Sequence, residues 1–227
     1  MSDAGRLHEI DRWDGGVGWL AHPDEALQRA SHALAVDGEV WVVDPVDAPG
    51  IDDLFAEFGD VTGVVVLLDR HMRDAAEIAS RHEVPVYLPT WVRRTPDAGV
   101  AVRRFSDTLA GTGFRVLKLF DNPAWQEAAL YDDSGRTLVV PESVGTASYF
   151  RTARERLGVH PMIRLLPPGE LQGLTPERVL VGHGDPLLED AGAALDHALA
   201  NSLRGIPAYL LQDLVFMLKA GYVAMRD

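Results

Sequence analysis

Cysteine is absent from this chain, and only two of its 21 basic residues, Lys118 and Lys219, are lysines. Without cysteine there is no disulfide framework and no thiolate-ligated zinc. Positive charge is scarce as well. Acidic residues number 34 and the formal net charge is -13, so the clustered cations that neutralise a nucleic-acid backbone are missing and nucleic acid is excluded as a partner. No apolar stretch reaches the roughly 18 residues of a membrane span, and Met1 to Arg6 has no apolar core of a signal peptide. A cytoplasmic protein without a membrane partner is expected. Also missing are a Gly-x-Ser-x-Gly elbow, a Gly-x-Gly-x-x-Gly turn between strand and helix, and a Lys-Ser or Lys-Thr pair after Asp14-Gly15-Gly16-Val17-Gly18. Serine-hydrolase, dinucleotide and P-loop chemistry therefore lack their presenting structures.

What remains is globular. The 227 residues are 47% hydrophobic and 24% charged, the size and balance of one domain spanning 1–227. Asp24 to Ala35 has Ala26, Leu27, Ala30 and Leu34 at helical spacing and is expected to be an amphipathic helix. Strands are expected at 39–44, 63–68 and 85–88, with helices at 51–58 and 73–82. Three antiparallel strands follow at 113–119, 127–131 and 136–140, the last two joined by Asp132-Asp133-Ser134-Gly135, a polar link ending in glycine that marks a hairpin. A helix at 148–157, strands at 162–166 and 178–181, and helices at 186–203 and 207–220 complete the reading. The run Leu210 to Met217 either covers the core or forms a homodimer contact.

Two segments carry most of the chemistry. Val65-Val-Leu-Leu-Asp-Arg-His-Met-Arg-Asp74 and Val179-Leu-Val-Gly-His-Gly-Asp-Pro-Leu187 are apolar runs that deliver ligand-capable side chains just past their ends, as buried strands opening onto a site do. They resemble the second and last signature loops of the metallo-β-lactamase superfamily. Trp41-Val-Val-Asp44-Pro45 resembles its first motif, whose aspartate organises the site loops, and Thr137 to Gly145 resembles the strand that delivers a metal-bridging carboxylate. Over residues 36–200 the resemblance implies an α+β, four-layer αββα sandwich with its site at one edge.

The departures define what the site retains. The superfamily's second motif is His-x-His-x-Asp-His; with Asp74 in the aspartate position, Arg70, Met72 and Ala75 replace the three histidines, and Asn122 to Glu127 lacks the histidine of the third motif. The resemblance then leaves Asp74, Glu142 and His183 for one zinc, manganese or iron ion, with Asp74 binding the ion or orienting a water and His183 also in the catalytic set. A neighbouring register anchored on His71 adds His71 as a ligand. Three protein ligands and an open position suffice for catalytic zinc and for activating water toward a small ester, thioester or lactone. The alternative is a metal-free pseudoenzyme serving as a binding or assembly module for a small molecule or protein, with Arg70 in place of the ion, paired with Asp74 or Glu142, and Arg73 beside it. His183 between glycines also has a purely structural reading, a hydrogen bond to a backbone carbonyl, and His71 one as a helix cap.

Overall fold

The computed structural model describes residues 7–97 and 99–206. In chain order its strands and helices are β1 (His8–Trp13), β2 (Gly16–Leu20), β3 (Ala30–Val36), β4 (Glu39–Val43), α1 (Ile51–Phe55), β5 (Asp60–Val65), α2 (Ala75–Arg81), β6 (Val86–Pro89), β7 (Val102–Phe105), β8 (Arg115–Asn122), β9 (Trp125–Asp132), β10 (Thr137–Val140), β11 (Val144–Gly145), β12 (Gly158–Val159), β13 (Arg178–Val181) and α3 (Ala191–Asn201). One sheet has seven strands in the order β1 to β7, the second has four in the order β13-β10-β9-β8, and β11 pairs with β12. The first sheet is antiparallel from β1 to β4 and parallel from β4 to β7. In the second, only β10 and β13 run parallel.

Strand periodicity of two explains the uninterrupted apolar runs. Val40, Val42, Val64 and Val66 face a core shared with Ile51 and Phe55 of α1 and Ile78 of α2. Their neighbours Trp41, Val43, Val65 and Leu67 point the other way and meet Ala128, Leu130, Val139 and Leu180 of the second sheet. Ala129, Tyr131, Leu138, Val140, Val179 and Val181 then face Ala191, Leu195 and Ala198 of α3. Three apolar seams between four layers are the expected αββα sandwich.

Several elements differ from expectation. The supposed helix at 24–35 is a turn followed by β3, because Gln28 adopts a left-handed φ of 44° and Ala30 to Val36 is hydrogen-bonded on both sides, to β2 and β4. An alanine-rich run buried on both faces satisfies helical spacing and strand burial equally, and tertiary pairing decides. Residues 148–157 form no helix: Glu155 accepts from the Thr152 amide and pairs with buried Arg164, which draws this segment into turns. The strand expected at 162–166 opens instead with a 3-10 turn, Pro161–Ile163, since Pro161 suits a first helical position and the His160 ring accepts from the Met162 amide. A strand that was not expected, β7, pairs parallel with β6 and ends the first sheet. α3 starts at Ala191 rather than 186. The helix expected at 207–220 lies outside the described residues.

Candidate metal centre

The parallel pairs β4–β5 and β10–β13 discharge their carboxyl-terminal loops at one end of the sandwich. β4 ends on Asp44, the run after β5 leads to Asp69–Asp74, β10 leads to Glu142 and β13 to His183. The last two loops meet closely because Gly182 and Gly184 flank the histidine. A Cβ on Gly182 would lie 2.2 Å from the Pro141 carbonyl oxygen, and Gly184 has a φ of 92°, so side chains are excluded at both.

Asp44 is the organiser. Its Oδ1 accepts the Leu67 amide at 2.9 Å, and its Oδ2 lies 3.1 Å from His71 Nδ1. His183 Nδ1 lies 2.9 Å from the Leu27 carbonyl oxygen. A carbonyl only accepts, so His183 carries its proton on Nδ1; an ionised Asp44 assigns the same tautomer to His71. Both imidazoles thereby turn an Nε2 lone pair inward, and the two Nε2 atoms stand 3.3 Å apart. Glu142 Oε2 is 3.8 Å from His71 Nε2. One ligand-capable atom from each of His71, Glu142 and His183 lies within 4.8 Å of the other two, the only such group of metal-capable side chains among the described residues.

The electrostatics keep both imidazoles neutral, each with a single ring proton. Burial holds the His71 pKa well below the usual imidazole range, with the Arg73, Arg70 and Arg29 cations adding to the effect. Burial, then His71 and Arg73, push His183 down to about 3. Burial raises Glu142 against the opposing pull of Arg70, and raises Asp44 to about 6 against that of Arg73. Neutral imidazoles beside a carboxylate that resists ionisation are groups short of positive charge.

Two arginines supply part of it. Arg73 is half-buried; its Nη1 donates to the Ala30 and Asp44 carbonyls at 2.7 Å each, and its Nη2 to the Gly182 carbonyl and His71 Nε2 at 3.2 Å each. Burial lowers its pKa to about 10, so it remains a cation at neutral pH. Arg70, with a side chain 40% exposed, donates to Glu142 Oε2 at 3.1 Å and to the Ala124 carbonyl, and stacks on Trp125 at 4.5 Å. The expected Arg70 to Glu142 pair is present; the cation in contact with His71 is Arg73.

Asp74 is elsewhere. Its Oδ2 accepts the Asp47 amide at 2.8 Å and its own amide donates to the Pro45 carbonyl, so it braces the loop after β4. The register anchored on His71 brings ligand-capable atoms together, and the one anchored on Asp74 does not. His71 is not a helix cap, since Asp44 holds its ring. His183 does bond a backbone carbonyl, and that bond is what orients Nε2 inward.

Two residues the sequence analysis passed over support the group. Glu127, wholly buried in β9, accepts from the Trp125 indole, the Ser143 hydroxyl and the amides of Glu142 and Ser143 at 2.6 to 3.0 Å. A carboxylate amid the apolar run 125–131 was the available signal. His160, buried among Trp125, Tyr149 and Phe150, reaches Glu142 Oε1 at 3.5 Å.

Solved structures place this geometry in context. DIM-1 metallo-β-lactamase exposed to ceftazidime superposes with a TM-score of 0.62 over 90% of this chain and 100% of its own, at 12% identity. The chain has the metallo-β-lactamase fold. A metallo-β-lactamase from Pontibacter korlensis matches over 87% of this chain and 99% of its own, at 14% identity and a TM-score of 0.58. TTHA1623 in a di-iron-bound form matches over 74% and 94%, at 23% identity and 0.52. No protein-family model and no curated protein sequence matches the chain.

For a metal ion in this metallo-β-lactamase fold, the donor set fits one and not two. His71 and His183 each commit Nδ1–H to an acceptor and keep Nε2 unprotonated, as metal-ligating histidines do, although Arg73 Nη2 donates to the Nε2 of His71. No second such group exists among the described residues, and the Arg73 guanidinium fills the space beside His71.

Proposed function

We propose that the protein is a mononuclear metal-dependent hydrolase of a small ester, thioester or lactone, with the ion held by His71, Glu142 and His183. One observation carries the reading: two buried imidazoles, oriented by Asp44 and the Leu27 carbonyl, face each other through Nε2 at 3.3 Å beside a carboxylate. Facing lone pairs repel, and a cation between them relieves the repulsion. Two imidazoles and one carboxylate suit zinc, and also manganese or iron; the solved di-iron form of TTHA1623 makes iron worth including. A bound divalent ion supplies Lewis acidity toward a substrate carbonyl and lowers the pKa of water.

The chain's own residues do the rest. Asp44 fixes the His71 tautomer and ring plane, and Glu127 fixes the main chain at Glu142. Arg70, half in solvent and stacked on Trp125, pairs with Glu142 at the edge of the group.

The metal-free reading also has support, from the Arg70 contact to Glu142 and the Arg73 contact to His71; there the fold serves as a binding or assembly module. Elemental analysis of protein purified from zinc-, manganese- and iron-supplemented cultures separates the two, followed by ion titration of chelator-stripped protein. A stoichiometric ion lost in His183→Ala supports the hydrolase and directs an esterase, thioesterase and lactonase screen. No ion bound more tightly than about millimolar overturns it in favour of the module.

A further inference from the structure

Three histidines surround Glu142, and their ring partners set them apart. His71 and His183 donate hydrogen bonds from Nδ1 and keep Nε2 unprotonated, that of His71 accepting from Arg73. In His160 the roles are reversed. Its Nδ1 accepts the Met162 amide at 3.3 Å, so the neutral ring carries its proton on Nε2, the atom 3.5 Å from Glu142 Oε1. His160 therefore turns an N–H toward Glu142 Oε1, at 3.5 Å a contact longer than a formed hydrogen bond, and has no lone pair to offer an ion.

The ring has little freedom to do otherwise. Trp125 stands perpendicular to it at 4.9 Å, Phe150 and Tyr149 pack at 5.4 and 5.5 Å, and only 4% of the residue is exposed. Phe150 also stacks on His183 at 5.3 Å, so one aromatic side chain supports both the His160 ring and a histidine of the central group.

We infer that His160 is a positioning residue whose Nε2–H, facing Oε1, sets the rotation of the Glu142 carboxylate and leaves Oε2 as the oxygen presented to an ion beside His71. The two carboxylate oxygens have different surroundings: Oε1 faces His160 at 3.5 Å, while Oε2 faces Arg70 at 3.1 Å and His71 Nε2 at 3.8 Å. A carboxylate whose rotation is set at one oxygen keeps the other in a single orientation, which lowers the entropy lost when an ion is bound. Partners of this kind are worth 10- to 100-fold in metal affinity.

This inference rests on the metal reading above, and one set of titrations tests both. Zinc and manganese are titrated separately into the chelator-stripped full chain, for the wild type, His160→Phe and His160→Gln, with circular dichroism and thermal melting confirming that each is folded. His160→Phe keeps the ring packing and removes the donor; it is expected to bind the ion about 10- to 100-fold more weakly. His160→Gln retains an N–H donor and is expected to recover most of that loss. Wild-type affinity in the Phe variant overturns the role of His160, as does a loss in the Gln variant equal to that in the Phe variant. Failure of the wild type to bind either ion instead overturns the metal centre, and the positioning role with it. A Phe variant that does not fold leaves the decision to Gln, whose near-wild-type affinity upholds the role and whose weakened affinity overturns it.

Discussion

Two buried polar groups in this protein solve the problem of charge in opposite ways. Arg164 and Glu155 form a closed set: both guanidinium Nη atoms reach the two Glu155 oxygens at 2.8 and 3.0 Å, one of them also donates to the Phe150 carbonyl, and Glu155 accepts the Thr152 amide. His71, Glu142 and His183 form an open set, with two Nε2 atoms facing each other and a carboxylate whose pKa is raised by burial. The closed set holds three turns together where a helix was expected. The open set is organised from outside by Asp44, Glu127 and His160 and lacks positive charge at its centre. Buried polar groups that satisfy one another build structure; buried groups oriented by others and left facing inward await a ligand.

That contrast is best tested first on the closed side. Arg164→Ala leaves Glu155 charged and buried, and a loss of about 3 to 5 kcal/mol in urea unfolding is expected; a change under about 1 kcal/mol would show that the pair is not a structural clasp. Asp11 sharpens the comparison as an unpartnered carboxylate that titrates. No side chain hydrogen-bonds to its oxygens, and burial raises its pKa to about 7 against the pull of the Gly18 amide. The folded state then holds a proton that the unfolded chain releases near pH 4. Stability contributed by that proton is full below pH 4, falls as pH rises toward 7 and is flat above, a total of about 2 to 4 kcal/mol. Asp11→Asn is expected to remove this slope and to exceed the wild type in stability above pH 7, as denaturation at a series of pH values will show.

On the open side the effects fall on binding. His183→Ala is expected to weaken ion binding at least about 100-fold, equivalent to about 2.8 kcal/mol, by calorimetric titration; an unchanged affinity would remove His183 from the ligand set. The smallest effect is expected at Arg70. Arg70→Ala frees Glu142 Oε2 from a competing cation and is expected to tighten ion binding about 10-fold. Because the Arg70 side chain is 40% exposed, its removal is expected to change stability by no more than about 1 kcal/mol. Weaker ion binding in this variant would mean that Arg70 supports the centre instead of competing with it.

The layered architecture was legible because each layer leaves its own pattern. Fully apolar runs such as 63–68 mark strands buried on both faces, and the polar link 132–135 marks a hairpin. The segment 24–35 was not legible, since its alanines and leucines fit two periodicities and only pairing with β2 and β4 selects the strand. In the site, His183 and Glu142 could be named from the loops that carry them, and Asp44 from its place at a strand end. The choice between Asp74 and His71 depends on the turn between β5 and α2, where Arg73 adopts a left-handed φ of 36°, and no local pattern announces that turn. His160 and Glu127 act across large sequence separations, on partners that come near only when the second sheet has formed.

Glu127 has one more consequence. Because its carboxylate accepts hydrogen bonds from the amides of Glu142 and Ser143, the loop after β10 is pegged to the interior of a strand. Those two amides are expected to exchange with deuterium on the slow timescale of β9 itself, although they belong to no regular element. The acidic arm of the site is then part of the rigid frame. Its geometry is set before any ligand arrives, and what must yield to admit one is the Arg70 side chain at the rim and the Arg73 contact to His71 Nε2.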